Sequence, residues 1–330
     1  MEQREQGNSV GILLFGTFGD DLSPQDRERL EQAAGHHTVV VSGDRDELKE
    51  RAPDAELAVG SVPKQAVIDS PGIRWIHTWH AGAEWVDRIP LKRRESLQVT
   101  TASGIHGATM TEHTIALIIM AMRGMHLDIR NQENRKWDDG PMSRYRELGG
   151  RTAVIVGAGA IGQHLGRTLH HLGMHCVGVR RSDSSQTPPG FERMVSIREL
   201  YDVLTEADVC VSILPSTVES RGIFDWSAFA RMPADGVFVN IGRGDAVVEA
   251  DLVHHLERHP DFTACLDVTD PEPLPAESML WGMSNLIITP HVSGRSDRYF
   301  ERAFEQYLEN LKRFVAGEAL LNLVDYDAGY

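Results

Sequence analysis

The sequence predicts an α/β protein with two doubly wound parallel sheets, and three observations support this fold class. Short apolar runs alternate with helical segments between residues 10 and 101 and again after residue 151. A glycine-rich turn joins one of these runs to a helix at residues 157–162. With 330 residues, the chain is long enough for two domains that each have a core.

The first unit begins with an apolar run at residues 10–15, and a helix is predicted from Pro24 to about Ala34. Ser23 has the N-cap position of that helix, with proline as the first helical residue and Asp26 as the third. Further strands are predicted at residues 38–41, 57–59, 73–77 and 97–100. This unit has no glycine fingerprint, so we do not expect it to bind a dinucleotide.

The second unit follows a strongly apolar helix, predicted from Thr109 to about Gly124, and a helical run to Trp137. A turn signal at residues 138–141 ends this helical region. Six strands are then predicted, at residues 152–156, 175–179, 208–213, 236–240, 262–267 and 286–289. Six strands with helices between them indicate a dinucleotide-binding sheet made of two mononucleotide-binding halves.

The C-terminal segment has no place in this second sheet. A long amphipathic helix is predicted from Gly294 to Gly317, and residues 320–324 are strand-like. We therefore expect a discontinuous substrate-binding domain, residues 1–120 and 295–330, and a dinucleotide-binding domain, residues 121–294. Both domains should be Rossmann-like or flavodoxin-like, with the active site in the cleft between them.

The turn at residues 157–162 has the pattern G-x-G-x-x-G between a strand and a helix. Gly157 permits the tight turn, Gly159 lets backbone approach a pyrophosphate, and Gly162 lets the helix pack close to the strand. Ala160 and Ile161 begin the helix, whose N-terminal amide groups would face the phosphates. Similar loops also occur as plain turns and in methyltransferases, so other residues must identify the chemistry.

Composition excludes several partners. The net charge of −15 argues against nucleic acid, and the longest apolar run, Ile115–Met122, is too short to span a bilayer. Cys176, Cys210 and Cys265 lie in apolar runs without metal-ligand spacing, so we expect buried, reduced thiols and no metal site. We expect a soluble, cytoplasmic protein without a membrane partner.

Four blocks resemble the D-isomer-specific 2-hydroxyacid dehydrogenase family, and the resemblance extends along nearly the whole chain. Besides the glycine fingerprint, they are residues 239–244, similar to N-x-x-R-G; residues 266–275, similar to D-V-x-x-x-E-P-L-P; and residues 288–294, similar to T-P-H-x-[SA]-G. The order and spacing of all four blocks agree with this family.

The resemblance implies three catalytic residues, and each suits its role chemically. Arg243 would bind a substrate carboxylate with its planar guanidinium and polarise the neighbouring keto oxygen. His291 would exchange a proton with that oxygen, and Glu272 would hold the imidazole and favour its protonated form. Without the resemblance, each would more commonly be a surface or structural residue. Related formate dehydrogenases have glutamine at the glutamate position, so Glu272 favours a keto or hydroxy acid substrate.

Other roles follow from the same resemblance. Asp267 would accept a hydrogen bond from the nicotinamide carboxamide; the alternative is a cap on the end of its strand. Residues 75–83 resemble a strand and loop of the family whose backbone binds the substrate, here through Ala81 and Gly82. Trp79 and His80 replace the commoner small residues of that loop and should shape the pocket. Four histidines on helix-like stretches are interpreted as structural: His106, His113, His170 and His171.

The end of the second strand of the dinucleotide-binding unit indicates which nicotinamide is used. NAD enzymes place an acidic residue there, on the ribose 2′-hydroxyl. This chain has Arg180, Arg181 and Ser182 instead, which would attract a 2′-phosphate. Solvated loop arginines are the alternative. We therefore expect NADP(H) rather than NAD(H), as in the similar NADPH-dependent glyoxylate/hydroxypyruvate reductases.

Together these residues predict an oxidoreductase that interconverts a small 2-keto acid and a D-2-hydroxy acid by hydride transfer, the D configuration being implied by the family. The resemblance also implies a homodimer. A different class of function is the alternative: the chain is also similar to dinucleotide-sensing corepressors that bind the cofactor without turning it over.

Overall fold

The computed structural model describes residues 11–16, 22–82, 84–181 and 186–326. The chain divides into two compact units, residues 1–105 with 297–330 and residues 106–296. Each unit contains one parallel β-sheet, and the two described sheets have five and seven strands. The predicted fold class, α/β with two parallel sheets, is confirmed.

The first unit alternates strands and helices from its first described strand onward. Its strands are β1 Ile12–Gly16, β2 Thr38–Ser42, β3 Ala55–Gly60, β4 Trp75–Thr78 and β5 Gln98–Thr101. Its helices are α1 Pro24–Ala34, α2 Arg45–Arg51, α3 Lys64–Asp69 and α4 Leu91–Arg94. The Ser23 hydroxyl accepts the Asp26 amide at 3.1 Å, so α1 begins with the predicted N-cap. The strand order is β2-β1-β3-β4-β5, the flavodoxin-like arrangement.

The second unit begins with two helices, α5 Gly107–Met122 and α6 Met125–Glu133. Its strands are β6 Thr152–Val156, β7 His175–Arg180, β8 Arg193–Ser196, β9 Val209–Ser212, β10 Val237–Asn240, β11 Thr263–Leu266 and β12 Leu286–Ile288. Its other helices are α7 Ala160–His171, α8 Leu200–Val203, α9 Trp226–Phe229 and α10 Glu249–Arg258. The strand order is β12-β11-β10-β9-β6-β7-β8, which is the dinucleotide-binding order extended by one strand.

The structure differs from the sequence prediction at one strand of this unit. The prediction omitted β8, a four-residue edge strand that begins with an exposed arginine and lacks an apolar run. The predicted end of the apolar helix near Gly124, with a separate helix after it, is confirmed: Gly124 has a left-handed φ of 64°, which ends α5 before α6 begins. The second helix ends at Glu133, before the predicted Trp137.

Both faces of the second sheet are covered, as its strand sequences require. In β6, Val154 and Val156 belong to one apolar cluster, whereas Ala153 and Ile155 belong to the cluster on the opposite face. Side chains alternate across a strand, so a continuous apolar run is stable only between two packed layers. The first sheet is covered in the same way by two further clusters.

The C-terminal helix α11, Tyr299–Ala316, belongs to the first unit. Its Phe304 and Tyr307 pack edge-on against Phe15 of β1, at ring-centroid distances of 6.0 and 5.8 Å. The helix begins five residues later than predicted, and the expected strand after it is only an isolated antiparallel bridge between Thr100 and Leu323. A single bridge forms there because Asn322 has a left-handed φ of 54°, which ends extended pairing.

Cys176, Cys210 and Cys265 are buried and unpaired, as predicted. Burial raises the pKa of the Cys176 thiol to about 11 and raises the pKa values of the other two as well. These thiols therefore remain protonated and act as small apolar core groups. None of the described helices combines the length and apolar character needed to cross a membrane.

His255 on α10 is a buried histidine without a charged partner among the described residues, and we expect it to make the second unit sensitive to acid. Its ring is 1% exposed and lies against Phe229 and Phe262, with centroid distances of 5.8 and 4.6 Å. Within the described part of the chain, neither ring nitrogen has a hydrogen-bond partner. Burial, together with nearby His259 and His254, lowers the pKa of His255 to about 4.

We predict that His255→Leu reduces the loss of stability on acidification. The unfolded chain takes up a proton on His255 near pH 6.5 and the folded chain only near pH 4, so the free energy of unfolding falls as pH drops through this window. Between pH 7 and pH 5 this histidine accounts for about 1–2 kcal/mol of that fall. Urea unfolding at both pH values, for the variant and the native chain, measures the difference.

The control is His170→Leu, because His170 is exposed on α7 and is solvated in both states. That variant should keep the pH dependence of the native chain. An unchanged pH dependence in His255→Leu would contradict the interpretation of His255 as a buried neutral base.

Candidate active site at the carboxyl edge of the second sheet

Five loops of the second unit follow parallel strands and therefore begin at one edge of the sheet. Carboxyl ends of parallel strands meet at the same edge, where ligands of such folds bind. The loops contain most of the site residues predicted from the sequence. After β6, β7, β10, β11 and β12 these are Gly157, Arg181, Arg243, Asp267 and His291, and Arg180 is the last residue of β7.

The glycine turn has the geometry of a phosphate-binding loop. Gly157 has a left-handed φ of 98°, and a β-carbon there would lie 2.7 Å from the Ile213 carbonyl oxygen. A β-carbon on Gly162 would lie 2.6 Å from the Gly157 oxygen, so both positions require glycine for packing. Gly159 differs, because a β-carbon there would meet nothing within 4 Å. That open space, at the N terminus of α7 with no side-chain cap, fits a pyrophosphate.

Arg180 ends β7 and reaches back to this turn. Its Nε donates to the Ala158 carbonyl oxygen at 3.0 Å, which holds the guanidinium beside the glycine loop. Arg181 follows and is exposed. Ser182, predicted to contribute to the same site, lies outside the described residues. The two arginines make the end of β7 cationic, where an NAD enzyme would have an acidic residue.

Arg243 is oriented by the buried end of β10. The Asn240 side chain, 0% exposed, donates to the Arg243 carbonyl oxygen at 2.9 Å and accepts the Gly242 amide at 3.1 Å. The Arg243 Nη1 donates to the Gly242 carbonyl oxygen at 3.0 Å. A β-carbon on Gly244 would lie 2.0 Å from the Thr269 carbonyl oxygen, so the turn after Arg243 packs on the loop after β11. The arginine is thus half-buried on a fixed backbone.

Glu272 and His291 are hydrogen-bonded to each other, with 2.9 Å between Glu272 Oε2 and His291 Nδ1. The other oxygen of Glu272 accepts the Thr269 amide at 3.1 Å, and the peptide bonds preceding Pro271 and Pro273 are cis. A carboxylate only accepts hydrogen bonds, so Nδ1 carries a proton and Nε2 is the nitrogen available for exchange. Half of the His291 side chain is exposed, 51%, which leaves it accessible to a ligand.

The backbone of His291 has a left-handed φ of 51°, which is strained for a residue with a β-carbon. Its amide is placed 2.8 Å from the Asp267 carbonyl oxygen and 3.0 Å from that of Thr289. The loop at residues 289–293, called the histidine loop below, is thus tied to the end of β11. These bonds offset the strain, which costs about 1–3 kcal/mol at such positions.

The Asp267 carboxylate, 1% exposed, is the centre of the histidine loop. Its Oδ1 accepts hydrogen bonds from the Thr289 hydroxyl at 2.6 Å and from the Val292 amide at 2.9 Å. Its Oδ2 accepts the Ser293 amide at 2.9 Å. Burial by itself raises the pKa of Asp267, but hydrogen bonds led by those of Ser293 and Thr289 outweigh it and hold the pKa below its ordinary value. These contacts are those of a cap on the strand end, and the contact of Asp267 with a nicotinamide carboxamide stays a prediction.

His113 on α5 was interpreted from the sequence as structural, yet it reaches this network. Its Nε2 lies 3.1 Å from the Thr289 hydroxyl and 3.6 Å from Asp267 Oδ1. No local pattern could have indicated this, because His113 precedes Thr289 by more than 170 residues along the chain. The sequence predicted only that Asp267 and Thr289 each lie at the end of a strand. The described residues contain no group of three or more acidic, histidine or cysteine side chains that could hold a metal ion.

In the first unit, the residues predicted to bind substrate follow β4. The Trp79 side chain is 1% exposed and donates from Nε1 to the Gly16 carbonyl oxygen at 3.1 Å. It packs edge-on against Phe15 and Tyr307 with centroid distances of 5.4 and 5.8 Å. The indole belongs to the core of the first unit, and its role in shaping a substrate pocket stays a prediction.

Ala81 and Gly82 are half-buried in the loop after Trp79. The loop is fixed by its carbonyl groups: Tyr299 donates to the Trp79 oxygen, and the Ala102 amide donates to the His80 oxygen at 3.2 Å. Among the described residues, the amide groups of Ala81 and Gly82 have no acceptor. Two adjacent unpaired amides suit an anion such as a carboxylate.

Comparison with known proteins identifies the family. The profile described as "D-isomer specific 2-hydroxyacid dehydrogenase, NAD binding domain" matches residues 115–293. A crystal structure of a D-isomer specific 2-hydroxyacid dehydrogenase family protein from Aeromonas salmonicida is 32% identical, with a TM-score of 0.81 over 96% of this chain and 99% of that chain. Fold and site define an NAD(P)-binding oxidoreductase. The chain belongs to the D-isomer-specific 2-hydroxyacid dehydrogenase family.

Two relatives in this family have described activities. The hydroxypyruvate reductase of Blautia hydrogenotrophica is 28% identical over 83% of this chain and 86% of that protein. An NADPH-dependent glyoxylate/hydroxypyruvate reductase from Sinorhizobium meliloti, solved with NADP and sulfate, is 25% identical. Its TM-score is 0.80, over 98% of this chain and 100% of that chain.

Proposed function

We propose that this protein is an NADP(H)-dependent reductase of small 2-keto acids, which it converts to D-2-hydroxy acids. The observation that carries the proposal is the 2.9 Å pair between Glu272 and His291, on the sheet edge that also holds the glycine turn. Reduction of a keto group needs a hydride on carbon and a proton on oxygen. A bound nicotinamide supplies the hydride, and the histidine supplies the proton.

The proton step follows from the hydrogen bond of His291. Because Nδ1 donates to Glu272, the protonated ring directs its second N–H, on Nε2, away from the carboxylate and toward a ligand. The carboxylate stabilises the imidazolium until the proton passes to the developing alkoxide. After transfer, the neutral ring keeps its Nδ1 proton and accepts a new one at Nε2. In the reverse direction the same nitrogen takes the hydroxyl proton as a general base.

The substrate carboxylate is assigned to Arg243, whose guanidinium stands on the backbone held by Asn240. A planar guanidinium binds a carboxylate bidentately, and one of its N–H groups can also polarise an adjacent keto oxygen. In the first unit, the unpaired amides of Ala81 and Gly82 are proposed as further donors to the substrate. The family and the two relatives favour small acids such as glyoxylate and hydroxypyruvate.

The proposed cofactor preference rests on the end of β7. Arg180 is held beside the glycine turn through Ala158, and Arg181 is exposed next to it. A guanidinium stabilises a 2′-phosphate, and Arg180 and Arg181 stand at the strand end where an acidic residue would repel one. The NADP bound to the Sinorhizobium meliloti relative supports the same choice.

We predict that His291→Ala lowers kcat for keto acid reduction by roughly 10²–10⁴-fold, because the variant lacks the general acid. Steady-state kinetics with NADPH and a panel of 2-keto acids measures the change. The matched control is His175→Ala, which removes another exposed histidine–glutamate pair of the same unit, His175 with Glu192.

The control should retain the native rate. A His291→Ala enzyme with near-native turnover would refute the acid role. A native protein that binds NADPH but reduces no member of the panel would favour the dinucleotide sensor over the reductase.

We predict that the native enzyme uses NADPH better than NADH and that Arg181→Ala raises the KM for NADPH roughly 10–100-fold. The loss corresponds to one charge-assisted hydrogen bond to the 2′-phosphate. The KM for NADH should change little, since NADH has a hydroxyl at that position. Arg193→Ala, on the neighbouring strand β8 and paired with Glu206, is the control. Equal or better use of NADH by the native enzyme would overturn the assignment.

We also propose that two copies of the chain associate through the region after α6. Trp137 is 98% exposed and Met142 is 85% exposed, and α6 adds the partly exposed Met125 and Ile129. Apolar side chains clustered in one segment and left in water are typical of an interface.

Trp137→Ser is expected to convert the dimer to a monomer, or to raise its dissociation constant at least tenfold, without unfolding the chain. Sedimentation velocity over a concentration series measures this constant. Leu91→Ser, at an exposed apolar residue of the first unit, should leave it unchanged. A native chain that is monomeric at all concentrations would contradict the proposal.

A further inference from the structure

A chain of hydrogen bonds links His113 on α5 to the histidine loop. His113 Nε2 lies 3.1 Å from Thr289 Oγ1, and Thr289 Oγ1 lies 2.6 Å from Asp267 Oδ1. The same carboxylate accepts the amides of Val292 and Ser293, both at 2.9 Å. The loop that carries the proposed proton donor is therefore fixed from one side by Asp267 and from the other by His113.

The donor and the acceptor of each hydrogen bond between His113, Thr289 and Asp267 follow from the chemistry of the three groups. The carboxylate of Asp267 is ionised and can only accept, so the single hydroxyl proton of Thr289 must point toward it. The hydroxyl oxygen then has only lone pairs to offer to His113. His113 must consequently donate from Nε2–H, and a neutral ring has its proton on that nitrogen.

Because His113 lies on a packed helix, its hydrogen bond to Thr289 can restrict the histidine loop. His113 is largely buried, with 21% of its side chain exposed, on a sixteen-residue helix that packs against β10, β11 and α7. Thr289 is the first residue of the histidine loop, one residue after β12. A donor on a rigid helix thus fixes the start of a loop whose strained residue is His291.

We propose that His113 is a positioning residue for the reaction: it holds Thr289 and Asp267 in the arrangement that places His291. This inference rests on the proposed function for its effect on catalysis, and on the structure alone for its effect on the loop. His113 does not exchange the substrate proton. It restricts the loop so that the His291 ring remains paired with Glu272.

The test compares His113→Leu, which lacks a donor, with His113→Gln, whose amide keeps an N–H group at similar reach. His113→Leu should lower kcat about fivefold to tenfold, the rate equivalent of one lost hydrogen bond, with the KM for the keto acid changed less than about twofold. His113→Gln should recover most of the rate. A residue that only fills space would not be rescued by the polar substitution.

A second readout does not depend on activity. Hydrogen exchange should show the Val292 and Ser293 amides exchanging about fivefold to tenfold faster in His113→Leu than in the native chain and His113→Gln. The matched control is His164→Leu, which removes a similar histidine–threonine bond, the one of 2.9 Å between His164 on α7 and Thr111 on α5. The control should change neither the exchange of the two amides nor kcat.

The outcomes separate this inference from the proposed function. Unchanged exchange in His113→Leu overturns the positioning role whatever the activity shows. Faster exchange with an unchanged kcat also overturns it, because the loop would then move without affecting catalysis. If the native protein reduces no keto acid, the proposed function fails, while the exchange data still decide whether His113 holds the loop.

Discussion

Asp267 places a carboxylate at the end of β11 with almost no exposure to water, and the histidine loop folds around it. An unpaired charge in that position would be strongly destabilising. Amide and hydroxyl donors of Thr289, Val292 and Ser293 satisfy it. The same loop holds His291 in a left-handed conformation that few residues with a β-carbon adopt. The proposed proton donor therefore depends on a buried acid that need not touch the substrate.

The histidine loop and the glycine turn lie at the same edge of the second sheet. Gly157 and Arg243 lie more than eighty positions apart in the sequence, and His291 follows another strand further on. All described strand pairs in the second sheet are parallel, so the residues that follow these strands lie at the same carboxyl edge of the sheet. The loops can vary in sequence while the buried strands hold their starting points. The loops supply the reactive side chains of the site, and the sheet fixes the positions at which those loops begin.

Prediction succeeded where the physical signal was local. The glycine spacing at residues 157–162, the N-cap at Ser23 and the apolar strands of both units all depend on neighbours in sequence. It failed where the signal was weak or distant. The edge strand β8 has few apolar residues, and nothing near Trp79 in the sequence shows that its indole packs on Phe15. The contact of His113 with Thr289 joins segments far apart in the chain.

The sequence by itself determined the fold class, the family and the residue types of the site, because strand periodicity, glycine geometry and motif order are encoded along the chain. Only the tertiary structure decided how those residues are held. It assigned the Asp267 carboxylate to the histidine loop, the Trp79 indole to a core and His113 to the support of Thr289. The reason is physical: burial and hydrogen-bond partners depend on which distant segments pack together, and composition does not specify that.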